Sequence, residues 1–271
     1  MKRTLFGMIV LAIAVGLSAN AFAGLTNHWP MDDNDSGSVV ADIVGSSDLT
    51  YKLTPQPTTA DQHSADKRQG TGSLLFDGFL SGVSAAGDFG LKGLGAGYSY
   101  AFWFNPTSGY DATTNITYFL ENNGAGGSNP RTTSGWLNRV TSGRLSHFEN
   151  GNIDIQSTSD TWAANTWRHV AFTIQADAGS VTNGTASIYI DGLLDNENTG
   201  ATLTNGTHGV IVFGGHPDES GSLVSCGCLI DDLRWYDHAL SPTEVANIVP
   251  EPATLGLLAV GGLALVSRRR R

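Results

Sequence analysis

Residues 186–194 have the sequence ASIYIDGLL, an apolar segment that meets Asp191-Gly192 and resumes in two leucines. Asp-Gly between apolar segments is the strongest short-range signal of a β-hairpin, because the favoured two-residue turn needs a positive φ at both positions. In residues 169–174 (HVAFTI) every second side chain is bulky and apolar. In residues 99–104 (SYAFWF) apolar side chains occur at odd-numbered and even-numbered positions alike. These patterns predict strands, and the last one predicts a central strand that is buried on both faces.

The composition of the whole chain agrees with short strands joined by many turns. The 271 residues include 34 glycines, 9% are aromatic and 15% are charged. The one clear helix signal is SPTE at residues 241–244, where a serine cap, a proline and a glutamate that reaches back predict a short helix through Ile248. Residues 24–249 contain no internal repeat and no Pro/Ser-rich linker, so we interpret them as one domain.

The charge of this domain excludes one class of function. Residues 24–249 carry 24 acidic and 9 basic side chains, a formal charge of −15. A surface this acidic repels phosphate backbones, so nucleic-acid binding is excluded.

Residues 1–23 have the order of a secretory signal peptide. A basic start (MKR) precedes a mostly apolar segment from Leu5 to Leu17, and AFA at residues 21–23 supplies the small residues that a signal peptidase recognises. Cleavage is expected before Gly24, so the protein is predicted to be exported.

The C-terminal residues 250–271 also have a three-part order: the motif Pro250-Glu251-Pro252, an apolar segment over 253–266, and four consecutive arginines. Fourteen helical residues span roughly 21 Å, less than the ~30 Å hydrocarbon core of a membrane. Such a helix suits temporary attachment, with the arginines on the cytoplasmic side.

This segment resembles the PEP-CTERM sorting signal of Gram-negative bacteria. The resemblance implies transient attachment to the inner membrane, processing by an exosortase, and delivery to the cell surface or the extracellular polysaccharide matrix. A plain membrane anchor is the alternative interpretation.

Six further segments carry a resemblance that covers nearly the whole domain. In chain order they are HWPMD (28–32), GSLLFDG (72–78), YAFWFNP (100–106), NTWRHVA (165–171), YIDG (189–192) and LIDDLRWY (229–236), the last followed by ALS (239–241). They resemble LamG-like jelly rolls of the concanavalin A-like lectin/glucanase class. The implied fold is an all-β, two-sheet antiparallel sandwich over residues 24–249, with one short C-terminal helix and the apolar sorting helix after it.

The sequence does not favour an enzyme. The glutamates of the domain are far apart in sequence (Glu121, Glu149, Glu197, Glu219 and Glu244), and the Glu-x-Asp-x-Glu strand of jelly-roll glucanases is missing. Glycosidases of this kind need two carboxylates at a fixed separation. We therefore predict no catalytic residues.

A structural calcium ion is predicted from aspartates at the two ends of the domain. Asp231 shares strand parity with apolar neighbours, where a carboxylate must be paired, hydrogen-bonded or bound to a metal. The resemblance places the acidic loop with Asp32 and Asp42 near this strand, and carboxylate oxygens suit calcium. For Asp231 the alternative is a hydrogen bond to backbone amides.

Cys226 and Cys228 are the two cysteines of the chain. On a strand, residues two apart have Cα atoms near ~6.6 Å, at the upper limit of disulfide reach. A Cys-Gly-Cys bridge, bent at Gly227, and two reduced thiols are both compatible with this spacing.

Candidate sugar-binding residues lie on or beside the middle strands, whose equivalents line the concave face of lectins with this fold. We select Trp136, Trp162, His147, Arg144 and Asn122. Trp136 suits core packing and ligand stacking equally, whereas the polar neighbours of Trp162 favour exposure. The other four tryptophans are predicted to be in the core: Trp29, Trp103, Trp167 and Trp235.

Together these observations predict an exported, surface-sorted and non-catalytic binding or adhesion protein. Its partner would be a glycan or another component of the extracellular polymeric matrix. A structural matrix protein without a specific ligand, and a diverged glycan-active enzyme, are the alternatives.

Overall fold

The computed structural model describes residues 23–34, 36–51, 58–76, 83–89, 93–107, 117–123, 136–141, 144–149, 152–203, 208–213 and 227–249. The predicted signal peptide (except Ala23), the sorting segment at 250–271, and Cys226 lie outside the described residues.

Strands dominate the described residues, and two short helices accompany them. The strands are β1 (Leu25–Trp29), β2 (Val39–Val40), β3 (Leu49–Tyr51), β4 (His63–Ser64), β5 (Ser73–Phe76), β6 (Val83–Phe89), β7 (Gly97–Pro106), β8 (Thr117–Asn123), β9 (Trp136–Thr141), β10 (Arg144–Glu149), β11 (Asn152–Gln156), β12 (Arg168–Ala176), β13 (Asn183–Ile190), β14 (Leu193–Thr202), β15 (His208–Phe213) and β16 (Cys228–Tyr236). The helices are α1 (Thr59–Gln62) and α2 (Pro242–Ile248).

The strands form two antiparallel sheets of eight strands each. The first sheet has the order β14-β13-β12-β7-β16-β5-β4, with β1 also paired to β16, and the second has the order β11-β10-β9-β8-β15-β6-β3-β2. Half of the paired strands are consecutive along the chain and the other half are distant in sequence, a mixture that a jelly roll requires. The predicted all-β antiparallel sandwich is confirmed.

The first sheet is built around two strands that are buried along their whole length. All ten residues of β7 are buried, as are all nine of β16, because the inner face of each packs on the core and the outer face is also covered. The two-parity apolar pattern of residues 99–104 correctly predicted this position for β7.

An aromatic stack fills the space between the sheets. The ring of Trp235 lies parallel to those of Tyr98 (centroids 5.5 Å apart) and Tyr100 (5.3 Å), and Tyr100 stacks on Phe172 at 5.0 Å. Phe89, from the second sheet, meets Trp235 edge-on at 5.2 Å. Large aromatic side chains bury much apolar area, and offset and edge-on geometries add to their stability.

The predicted hairpin and the predicted helix are both present. Asp191 and Gly192 have φ values of 51° and 82°, the left-handed conformation that the β13–β14 turn requires. The Ser241 hydroxyl accepts from the Glu244 amide, and the Glu244 carboxylate accepts from the Ser241 amide, so a capping box starts α2. Helix α1 was not predicted; its cap is a similar box between Thr58 and Asp61.

Helix α2 covers the outer face of the first sheet. Val245 and Ile248 are buried against Ala101, Ala171 and Tyr189, which form a second apolar cluster on that face. Among the described residues, neither helix has the length or apolarity needed to cross a membrane.

Removing the centre of the aromatic stack should destabilise the domain strongly. Trp235→Ala deletes a ring that is 3% exposed and stacked on two tyrosines, so we expect a loss of roughly 3–5 kcal/mol in the free energy of unfolding. This corresponds to a fall in Tm of about 6–20 °C. Circular dichroism during thermal unfolding measures it. Trp167→Ala, at a half-buried position, is the matched control and should lower Tm by less than half as much; equal losses would contradict the stack's central role.

Candidate functional site

Asp42, one of the predicted calcium ligands, organises a loop in the structure. Its carboxylate accepts hydrogen bonds from the backbone amides of His28 (2.9 Å), Gly45 (2.9 Å) and Ser47 (3.1 Å), and from Asn27 Nδ2 (2.7 Å). Burial alone would raise the pKa of Asp42, but these hydrogen bonds outweigh burial and lower the pKa. Both of its oxygens are therefore committed to N–H donors.

Asp32 makes a similar contact with another loop. Its Oδ1 accepts from the backbone amides of Thr71 (2.5 Å) and Gly72 (2.8 Å). This contact ties the segment after β1 to the segment before β5.

Asp231, on β16, holds the neighbouring part of that loop. Its Oδ2 accepts from the backbone amides of Arg68 (2.7 Å) and Gln69 (2.8 Å), the alternative considered from the sequence. Oδ1 is buried and has no hydrogen-bond partner in the described part of the chain. Burial raises the pKa of Asp231 to about 7; the two amides oppose the rise, while the charges of Asp232 and Asp32 add to it.

These geometries do not fit the predicted three-carboxylate calcium site. Of the three side chains, Asp42 has no oxygen without a hydrogen-bond donor, and only Asp231 shows an unpaired buried one. The described ranges contain no group of three His, Cys, Asp or Glu side chains that is arranged to hold a metal. A calcium ion would need a different ligand set, and structural calcium stays a prediction.

Asp232 is the centre of a buried polar network that the sequence did not reveal. His28 Nε2 lies 2.7 Å from its carboxylate, Gln69 Nε2 donates to it at 2.7 Å, and Arg234 donates through Nε and Nη2, each at 3.0 Å. Asp232 has φ 55°, at a point where the register between β16 and β7 shifts. Because this irregularity changes the strand parity, Asp231 and Arg234 both lie on the outer side. The only sequence signal was the presence of three charged residues in one otherwise apolar strand.

Asp66 is a second residue that the sequence reading missed. It accepts from Trp167 Nε1 (2.9 Å) and Asn105 Nδ2 (3.1 Å), while the guanidinium of Arg68 lies 4.6 Å from the centre of the Trp103 ring. Trp167, predicted to be in the core, is only half-buried and uses its indole N–H in this contact. Trp29, Trp103 and Trp235 are buried as predicted.

His147 does not lie on a ligand-binding face. It is 0% exposed, and its ring lies between the sheets, 3.1 Å from the Tyr100 hydroxyl and 3.4 Å from that of Tyr98. His147, selected from the sequence as a ligand-binding residue, is therefore out of reach of a ligand in this structure, because its strand position faces the aromatic stack of the opposite sheet.

Two of the candidate sugar-binding residues, Arg144 and Trp162, lie at opposite ends of the loop formed by residues 157–162. Arg144 Nη1 donates to the carbonyls of Ser157 (2.6 Å) and Thr158 (3.0 Å). The half-buried Trp162 packs edge-on against Phe104 at 5.2 Å, so it covers the core at the rim of the sandwich.

For the other two candidate sugar-binding residues, Trp136 and Asn122, the structure gives the position in a strand. Trp136 begins β9 in register with Glu149 of β10, and Asn122 lies in β8 in register with Ile211 of β15. Both belong to the middle strands of the second sheet, and their side chains lie outside what the structure describes.

Cys228 is buried and disulfide-bonded. The sequence contains one other cysteine, Cys226, which lies outside the described residues. Gly227, between them, has φ 56°.

The pKa of Asp231 predicts an unusual dependence of stability on pH. A carboxyl whose pKa is about 7 when folded and ~3.9 when unfolded binds more protons in the folded state between these values. Its contribution to stability is therefore present below pH ~4 and is lost as pH rises to about 7. Asp231→Asn should remove this loss and raise Tm by a few degrees at pH 8 relative to the parent, with little change at pH 4.

Asp42→Asn is the matched control for this measurement. Its pKa is lowered, so its contribution to stability is present above pH ~4 and is lost as pH falls. This variant should be less stable at pH 8. If Asp231→Asn also loses stability at pH 8, the raised pKa of Asp231 is wrong.

Comparison with known proteins identifies the domain and its tail. A family model described as the concanavalin A-like lectin/glucanases superfamily matches residues 77–246, and one for the PEP-CTERM protein-sorting motif matches residues 249–271. No curated protein sequence gave a significant match.

Solved structures share the fold at low sequence identity. The receptor binding domain of botulinum neurotoxin D is similar with TM-score 0.57 and 14% identity over 85% of this chain and 52% of that one. A serotype D ligand binding domain in complex with N-acetylneuraminic acid gives 0.55 and 14% over 86% and 52%. A Trypanosoma rangeli sialidase mutant displaying trans-sialidase activity gives 0.51 and 14% over 84% and 33%. The chain thus spans about half the length of the toxin domains and a third of the sialidase.

The matched motif at 249–271 indicates an exported, surface-sorted protein that is processed by an exosortase system. The domain match covers more than half of the chain and agrees with the two-sheet architecture. The chain belongs to the concanavalin A-like lectin/glucanases superfamily and carries a C-terminal PEP-CTERM protein-sorting motif.

Proposed function

We propose that this protein is a non-catalytic binding or adhesion module of the cell surface, and that its partner is a glycan or another component of the extracellular polymeric matrix. The observation that carries this proposal is the joining of a lectin-type sandwich to a surface-sorting motif in one chain. The fold supplies a broad sheet for recognition, and the motif supplies display.

The structural neighbours support the same class of function. Two of them are named as receptor or ligand binding domains, and one of these is in complex with N-acetylneuraminic acid. At 14% identity they share the fold, and the ligand of the present protein is a separate question. The sialidase neighbour keeps a glycan-active enzyme as the second candidate.

The second sheet is the favoured recognition surface. On the first sheet, the outer face is occupied by α2 and by the loop that Asp231 holds. The second sheet carries Trp136 and Asn122 on adjacent middle strands, β9 and β8. Their chemistry suits this role, because an indole ring can stack on a sugar and a side-chain amide can hydrogen-bond its hydroxyls.

The sorting segment is proposed to attach the protein temporarily to the inner membrane. Its apolar residues 253–266 are followed by four arginines, which favour the cytoplasmic side. Cleavage by the exosortase would then release the domain for surface delivery.

A glycan array tests the recognition proposal. The exported domain should bind a defined set of glycans, and Trp136→Ala should weaken that binding by roughly tenfold or more while leaving Tm close to the parent value. Trp167→Ala, at a half-buried position just before β12 of the first sheet, is the matched control and should retain binding. A large fall in Tm for Trp136→Ala would instead place this ring in the core. Absence of binding to any glycan would favour a matrix role, and turnover of a polysaccharide would favour the enzyme.

The calcium prediction is tested by thermal unfolding with calcium and with a chelator. A bound ion stabilises the folded state by mass action, so Tm should rise with calcium concentration. The same Tm under both conditions would show that no stabilising calcium is bound. Asp231→Asn should reduce the response if Asp231 Oδ1 is a ligand.

A further inference from the structure

The described chain leaves the domain beside the β13–β14 turn. Helix α2 crosses the outer face of the first sheet and ends with Ile248 buried. The next residue, Val249, lies against Gly192: a Cβ added at Gly192 would be 3.4 Å from Val249 Cγ2 and 3.5 Å from Ala246 Cα. The sorting motif therefore begins one residue after a contact that is fixed on the domain surface.

The same turn exposes two adjacent leucines. Leu193 is 75% exposed and Leu194 is 52% exposed, immediately after Gly192. Single exposed apolar residues are normal on soluble proteins. Here two large ones follow one another in the chain, at the point where the C-terminal end of α2 meets the turn.

Chain length determines how far this turn can lie from the apolar C-terminal segment. Four residue steps join Val249 to Ala253, the first residue of the apolar segment. Even fully extended, they span at most about 14 Å. When residues 253–266 are in a bilayer, as we propose for the attached form, Val249 is held within that distance of the apolar segment, and the turn contacts Val249.

We propose that Leu193 and Leu194 insert into the interface of the lipid bilayer beside the C-terminal segment, so that the domain is seated on the membrane in a fixed orientation before processing. This inference rests on the transient attachment proposed above. It assigns the β13–β14 turn a lipid surface as its partner.

The charges around the turn favour a hydrophobic contact over an electrostatic one. Asp191 is paired with Arg168 at 3.1 Å, whereas Asp195, next to Leu194, accepts from Thr158 and adds a negative charge. The domain as a whole carries −15 and is repelled by anionic headgroups. Contact through the leucines should therefore persist in high salt and on zwitterionic lipid.

The chain provides a matched control at the far end of the same strands. Leu94 is 71% exposed, like Leu193, but its neighbour Gly95 bonds to Ser180 in the β12–β13 connection. This connection is at the opposite end of β12 from the β13–β14 turn, a separation of roughly 26 Å along the strand.

Depth-dependent fluorescence quenching tests the proposal on the mature chain, residues 24–271. Single variants Leu193→Cys and Leu94→Cys would be labelled with an environment-sensitive fluorophore; the described residues include no free thiol to compete. The proteins are bound to vesicles of phosphatidylcholine, alone or mixed with phosphatidylglycerol, that contain lipids with a quencher near the headgroup. Label at position 193 should be quenched several-fold more than label at position 94, in low and in high salt.

A paired substitution gives an independent measurement. The double variant Leu193→Ser/Leu194→Ser should partition onto these vesicles roughly tenfold less than the parent, whereas Leu94→Ser should partition like the parent. Both positions are exposed, so the variants should fold.

The outcomes separate the two proposals. If the mature chain does not bind vesicles at all, transient attachment through the tail is wrong. If it binds but labels at positions 193 and 94 are quenched equally, and the serine variants partition alike, the leucine contact is wrong while attachment stands. A third outcome is that the labels at positions 193 and 94 are quenched equally in lipid, but the label at position 193 is protected when an exosortase is present. This outcome would show that the partner of the turn is a protein, and the lipid contact would be wrong.

Discussion

A carboxylate that is removed from water must be hydrogen-bonded, paired or protonated. Strand β16 carries two such groups in succession, Asp231 and Asp232, and all nine of its residues are buried. Asp231 satisfies this constraint by accepting from the backbone of residues 68–69, and Asp232 satisfies it through His28, Gln69 and Arg234. The first strand, the loop before β5 and the last strand are thereby fastened together at one place, and the rest of the first sheet is arranged around it.

The strand content, the buried centre and the capped helix could be predicted because they depend on local patterns. Three of these patterns can each be recognised from a few neighbouring residues: the apolar side chains on both faces of β7, the Asp191-Gly192 turn and the Ser241 cap. The parity argument correctly predicted that Asp231 is buried, but it gave Asp231 the face of Leu233 and Trp235, and the residue lies on the outer face. It failed beyond that residue, because the irregularity at Asp232 reverses the alternation and no sequence pattern announces it.

The candidate site was harder to predict because its chemistry is long-range. The same aspartate oxygens that suit calcium also suit backbone amides, and the path of the loops decides between them: for Asp32 and Asp42 the loops supply N–H groups. His147 has a polar side chain on a middle strand, yet Tyr98 and Tyr100 of the opposite sheet provide its partners. Neither pairing can be read from neighbouring residues. Much of the acidity that suggests a ligand loop is thus used to hold the backbone in place.

The position of β16 has a consequence for export. This strand is central in the first sheet, paired with β1, β5 and β7, and it is the last strand that the structure describes. Trp29 at one end of the domain finds its partner at Leu233, so the sheet closes only through contacts between the two extremes of the sequence. A polypeptide crossing a membrane with its N-terminus first cannot complete such a sheet until its final segment has followed. The topology therefore delays tight packing during translocation until β16 has crossed.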